Sequence, residues 1–165
     1  MAQDGVVKQA KTIIDVTPTL NTNAYASGDA LFNRAEIPNA VLDKGGCSKL
    51  VNITVTSKKA SSTPMQVVLF GSDQSLESAN DAMDITAAEG AAANFCGWVD
   101  IPDDGGLDMG DFVINMPVNE TGAKPKLPFM LKADSTSKSV FFTAIIGGSV
   151  TYAASDLTFR FHIEY

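Results

Sequence analysis

The sequence predicts an all-β protein, a jelly-roll-like β-sandwich of about eight or nine strands with one short helix. Three observations carry this. The C-terminal stretch alternates without exception: Leu157, Phe159, Phe161, Ile163 and Tyr165 are apolar, and Thr158, Arg160, His162 and Glu164 lie between them. Such a period of two marks a strand with one buried and one wet face. Similar strand-length runs recur upstream, separated by Gly, Pro, Asp and Ser. No helix-length segments alternate with these runs, so a parallel βα architecture is not indicated. A jelly roll is favoured over an immunoglobulin-like sandwich, and the strand order is not legible.

At 165 residues one domain is expected, large enough to bury a core without a metal or disulfide staple. Residues 1–22 are read as an N-terminal arm or edge strand and 23–165 as the sandwich. Within the first part, 6–16 is β-leaning but alternates poorly, and Pro18 ends it because proline cannot donate to a ladder. A strand over 30–37 stops at Pro38-Asn39, and Asp43-Lys-Gly-Gly46 is a turn. The strand at 49–57 is expected to turn Val51, Ile53 and Val55 inward and Asn52, Thr54 and Thr56 outward. Met65–Phe70 is a short apolar run. The stretch 72–94 is rich in Ala, Ser and Asp and has weak β propensity. Within it Thr86-Ala-Ala-Glu89 fits a capping box and predicts a short helix at about 87–93, weakened by Gly90. Strands resume at 95–101, 111–118, 127–132, 140–146 and 157–165.

Two runs, Val67-Val-Leu-Phe70 and Val140-Phe-Phe-Thr-Ala-Ile-Ile146, carry apolar residues at both parities. A strand of a two-layer sandwich needs only one apolar face, so something extra must cover the other. The 72–94 excursion is expected to cover one run and a neighbouring subunit the other, which predicts a homo-oligomer.

Composition excludes several functions. A net charge of −7 with scattered lysines and arginines argues against nucleic acid as a partner. No segment reaches the ~18 apolar residues of a membrane span, and the N-terminus lacks a secretory pattern. Synthesis in a cytoplasm is therefore expected, and the sequons at Asn52 and Asn119 are read as chance. Cys47 and Cys96 have no metal-ligand spacing and are read as buried thiols, with a disulfide as the alternative that the fold does not need.

His162 is the only histidine, which rules out metal centres built on a histidine pair. It is placed on the wet face of the last strand beside Arg160 and Glu164. The aspartate-rich loop 100–111 is the one candidate for calcium, although its spacing matches no EF-hand, and a plain connection is favoured. Trp98 shares parity with Cys96 and Asp100, opposite Phe95, Val99 and Ile101. It is read as a core or interface residue ahead of a sugar platform. No nucleophile elbow, phosphate loop or dinucleotide fingerprint is present, and a carboxylate-pair hydrolase is the least supported reading. The chain is expected to be no enzyme, with no cofactor and no metal.

The order of several short motifs resembles small virion structural proteins of tailed bacteriophages. The opening Thr17-Pro-Thr-Leu-Asn-Thr-Asn-Ala-Tyr-Ala-Ser-Gly-Asp29 is similar to theirs, as is Val67-Val-Leu-Phe70 followed by Asn80-Asp-Ala-Met-Asp-Ile-Thr86 and Gly97-Trp-Val-Asp-Ile101. So is the close, Thr151-Tyr-Ala-Ala-Ser-Asp-Leu-Thr-Phe-Arg-Phe161. The resemblance spans roughly residues 17–165. One departure is Gly71-Ser-Asp after Phe70, where the family often places Asn and Pro. The resemblance implies a capsid decoration (cement) protein with a jelly-roll or similar sandwich, commonly trimeric, bound to the major capsid protein on the outside of the virion. On that reading, Val6, Val7, Ile13 and Ile14 belong to a contact arm, and Val140, Phe142 and Ile146 to a subunit contact. The alternative is a glycan-binding module of a phage fibre or tail, carried by Trp98 and the 100–111 loop.

Overall fold

In the computed structural model, residues 10–59, 63–103, 106–117 and 127–165 are described. The strands are β1 (Lys11–Val16), β2 (Ala24–Tyr25), β3 (Ala35–Ile37), β4 (Cys47–Ser57), β5 (Met65–Phe70) and β6 (Phe95–Ile101). They continue with β7 (Gly106–Asp108), β8 (Val113–Asn115), β9 (Phe129–Lys132), β10 (Val140–Ile146), β11 (Val150–Thr151) and β12 (Leu157–Glu164). The helix α1 is Ala87–Ala93.

The pairing is that of one long antiparallel hairpin folded over on itself. β1 pairs β12, β3 pairs β10, β4 pairs β9, and β5 pairs β6. Two further ladders, β12 with β4 and β10 with β5, join these nested hairpins into two sheets. The large sheet runs β1-β12-β4 with β9 on the far side of β4, and the small sheet runs β3-β10-β5-β6. The chain thus passes repeatedly between sheets, the nested Greek-key winding of a jelly roll. The β7–β8 hairpin is an addition to that plan. It pairs with the Val55–Ser57 end of β4, beside β9, and widens the large sheet.

The inward faces enclose one apolar core. Phe142 of the small sheet meets Phe159 and Phe161 of the large sheet edge-on at centroid distances of 5.1 and 4.8 Å. Phe32 closes this aromatic cluster against Phe142 and Phe159. Edge-to-face packing of this kind adds to the stabilisation from burial alone. β12, read from its strict alternation, buries Leu157, Phe159, Phe161 and Ile163.

Two bulges break the expected alternation. On β4, Ile163 pairs with Leu50 and His162 with Asn52, so Val51 has no partner. That extra residue shifts the parity: Leu50, Ile53 and Val55 point inward and Val51 is exposed, contrary to the inward placement expected of it. On β6, Leu69 faces Gly97 while Phe70 faces Phe95. Gly97 has φ +154, and the skipped residue turns Phe95 away from the core face that its parity with Val99 suggested.

The expected strand at 30–37 divides in two. Ala30 bridges Ile145, and pairing with β10 resumes only at β3. Ahead of it, the Tyr-x-Ser-Gly-Asp motif proves to be architectural. The buried Tyr25 hydroxyl donates to Leu31 O at 2.9 Å and accepts from Asn21 N at 2.7 Å. Gly28 adopts φ +96, and Asp29 Oδ2 accepts from Ala26 N, which fixes the turn into the sheet.

The 72–94 excursion packs on the outer face of the small sheet. Phe70, Leu76 and Ala93 form a second buried cluster, with Ile85 and Phe141 packed against it. Its base is closed by Gly71 N to Asn94 O and Ser72 N to Ala93 O, and its far end by Ala30 N to Asp81 O and Met83 N to Gly28 O. The capping box forms as expected: Thr86 Oγ1 accepts from Glu89 N, and Glu89 Oε2 accepts from Thr86 N at 2.8 Å. Gly71 sits where the excursion leaves β5, and a methyl there would overlap the Lys132 carbonyl oxygen. That close approach accounts for glycine at this position.

Candidate functional site

The two sheets treat their outer faces differently. The small sheet is covered by its own chain, whereas among the described residues nothing covers the outer face of the large sheet. Across the open face run rows set by register: Lys11–Glu164–Lys49–Met130, Ile13–His162–Asn52, Asp15–Arg160–Thr54, and Thr158–Thr56–Ile114–Leu107. Charged residues pair across strands. Arg160 grips Asp15 through Nε and Nη2 at 2.7 and 2.8 Å, and Lys49 meets Glu164 at 2.7 Å. The hydrogen bond from Arg160 holds the Asp15 carboxyl below the usual carboxylate range, and Lys49 does the same for Glu164.

Apolar side chains gather on this same open side. Among the described residues the exposed large hydrophobics are Ile13, Leu42, Val51, Phe95, Leu107, Met109, Met116 and Met130. All but Leu42 and Phe95 lie on or beside strands of the large sheet. Ile13 lies on β1 between the two charged rows, Val51 at the bulge of β4 and Met130 on β9, while Leu107, Met109 and Met116 lie in or beside β7 and β8.

The residues expected to meet partners separate into three groups. Val6 and Val7 lie outside the described residues. Ile13 is 59% exposed on the open face, while Ile14 packs against the core. The segment Lys11–Val16 is an edge strand hydrogen-bonded along β12, not a free arm. Val140, Phe142 and Ile146 are at most 1% exposed and offer nothing to a second subunit. Their parity points into the core. The opposite parity of β10 is covered from within: Phe141 lies against the excursion cluster, and Thr143, fully buried, donates to Phe32 O at 2.6 Å. The two-sided apolar runs therefore belong to one sheet and share one internal cover. The signal was legible as apolar residues at both parities, but not which element supplied the cover.

Trp98 is half-buried on the outer side of the small sheet opposite Val68. His162 is half-buried between Ile13 and Asn52, with its Nε2 shielded and without a hydrogen-bond partner among the described residues. The 100–111 segment supplies the end of β6 and all of β7, with Asp108 Oδ1 accepting from Gly110 N in the following turn. Among the described residues no group of three or more His, Cys, Asp or Glu is placed to hold a metal ion.

Both cysteines are free, and they are not equally buried as expected: Cys47 is exposed and Cys96 half-buried. Burial pushes the Cys96 thiol up, while Lys132 N donates to its sulfur at 3.4 Å and acts in the opposite sense. This thiol lines a groove of about 570 Å³ at the seam of β6 and β9, beside Phe95, Met130 and Lys132. No helix among the described residues is long and apolar enough to cross a membrane.

No protein-family model matches the chain, and no curated protein is significantly similar to it. Among solved structures, the VP1 pentamer of human polyomavirus 7 is similar over 99% of this chain and 95% of that one, at 13% identity and a TM-score of 0.26. A score of 0.26 establishes no common architecture. The assignment of a jelly-roll β-sandwich rests instead on the four nested strand pairs.

Proposed function

We propose that the chain is a structural virion protein that binds the outer surface of a phage capsid and stabilises contacts between capsomers. The observation that carries the proposal is the open face of the large sheet. It is rigid, because its rows are tied by cross-strand hydrogen bonds and ion pairs. It is also mixed, because exposed Ile13, Val51 and Met130 stand among charged side chains. Exposed apolar residues gathered on one face and rimmed by polar groups suit a protein contact. The resemblance of the motif order along residues 17–165 to phage virion proteins supports the major capsid protein as the partner. Attachment by a sheet face requires neither a cofactor nor a catalytic group. The glycan-binding alternative draws less support, because Trp98 is half-buried opposite Val68 in the sheet.

The test uses phage particles made without this protein. Full-length chain added back is expected to bind the heads at fixed copy number and raise their resistance to heating. Density on a tail or fibre, or heads equally stable with and without it, would overturn the proposal.

A further inference from the structure

The groove at the seam of β6 and β9 encloses about 570 Å³. Sites that take a ligand or an anchoring side chain are commonly of this size, about 300–1,000 Å³. Phe95 and Met130, both exposed, form its apolar part. Lys132 supplies a cation: its Nζ donates to Gly45 O at 2.8 Å, and among the described residues no carboxylate pairs with it. Asp134, the acid in the lining, is turned to its own loop, where its Oδ1 accepts from Thr136 N and Thr136 Oγ1 at 3.1 and 3.0 Å. The groove thus offers apolar contact beside a positive charge. It suits an apolar side chain flanked by carboxylates.

The turn between β7 and β8 has that chemistry. Met109 is 55% exposed, and Asp108 and Asp111 to either side of it are exposed too. Met109 N to Phe112 O at 2.9 Å and Gly110 N to Asp108 Oδ1 at 2.8 Å hold the turn in shape, with Gly110 at φ +91. A tip fixed before binding loses little freedom on docking. It cannot reach the groove of its own chain. Asp108 is level with Ser57 through Val113, and Lys132 is level with Cys47. Ser57 and Cys47 are the two ends of β4, about 30 Å apart at the rise of a strand. Two tips would bring like charges together, so a tip-to-tip contact is disfavoured as well.

We infer that the β7–β8 turn of one copy of this chain docks in the β6–β9 groove of a second copy. Met109 enters between Phe95 and Met130, where its thioether meets the aromatic ring, and Asp108 and Asp111 face Lys132. The two surfaces differ and stand at opposite ends of β4. The contact is therefore head-to-tail, and it closes a ring or extends a filament according to the rotation between copies. The inference concerns the isolated protein and stands or falls independently of capsid binding. Met130 also belongs to the open face, so capsid experiments use free chain dilute enough to be monomeric.

The test is sedimentation equilibrium of the full-length chain over a range of concentration at physiological ionic strength. Wild type is expected to self-associate. M109E and D111K, altered only in the turn, and K132E, altered only in the groove, are each expected to weaken association by about tenfold or more. All three positions are exposed, so circular dichroism should show the fold retained. D111K/K132E, with the two charges exchanged, is expected to recover association. A mixture of M109E and K132E is expected to form a heterodimer, because one keeps a working groove and the other a working turn. A wild-type chain that stays monomeric throughout overturns the inference. So does unchanged association of M109E, which would leave a different surface responsible, or the absence of recovery in both the exchanged variant and the mixture.

Discussion

The outer faces of the two sheets show how one chain solves the same problem twice. On the small sheet, Phe70 and Phe141 point away from the core and are sealed by residues 72–94. On the large sheet the corresponding positions are Arg160, Thr54, Thr158 and Thr56, which tolerate water and pair with each other across strands. An apolar outer face therefore marks an internal lid, and a polar one marks a surface left open. Among the described residues this surface carries large exposed apolar side chains at Ile13, Val51 and Met130 and at Leu107, Met109 and Met116. Those positions are where a partner gains most from burial.

The largest effect is expected where both sheets meet. Phe142→Ala removes a fully buried ring that touches Phe32, Phe159 and Phe161, and should cost about 3–5 kcal/mol. Denaturant unfolding monitored by circular dichroism would read this, and a loss under 1 kcal/mol would argue against the shared core. Gly71→Ala tests the attachment of the lid. The new methyl meets the Lys132 carbonyl, and a shift of backbone there should cost roughly 1–3 kcal/mol. Hydrogen exchange should quicken in 72–94 more than in β12; a uniform change would instead mean that the lid is not a separate unit.

Smaller still is Thr86→Ala, which removes the cap of α1 at a cost of about 1 kcal/mol, confined to the lid. On the open face, Asp15 and Glu164 have carboxyls held below their ordinary values. Their contribution is present above the unfolded carboxylate range near pH 4 and is lost as pH falls through the folded values. Stability should therefore decline on acidification, and Asp15→Asn should make that decline shallower. An identical acid limb in wild type and Asp15→Asn would remove Asp15 from the account.

Periodicity made the strands legible. β12, β5, β6 and β10 fall where the alternation or the apolar run placed them, and α1 falls where its capping box did. What periodicity could not supply was anything set by partners distant in sequence. The bulge at Val51 depends on β12, and the turning of Phe95 depends on Gly97 and β5. The cover over β10 comes from residues some fifty to seventy positions earlier in the chain. For that reason Val140, Phe142 and Ile146, apolar and conspicuous, suggested a subunit contact but face the core. The exposed methionines carried no signal in sequence, because Met109, Met116 and Met130 lie in or beside short strands with no extended alternation.

Those methionines provide the most direct measurement. Met109, Met116 and Met130 lie on the open sheet, Met83 lies in the lid, and Met65 is buried in the core. Oxidation by dilute peroxide converts accessible methionine to the sulfoxide and is read residue by residue by mass spectrometry. On capsid-bound protein, Met130 is expected to be protected relative to free protein, with Met83 still oxidised. Protection of Met83 with Met130 left accessible would place the partner on the small sheet and contradict the assignment of the open face.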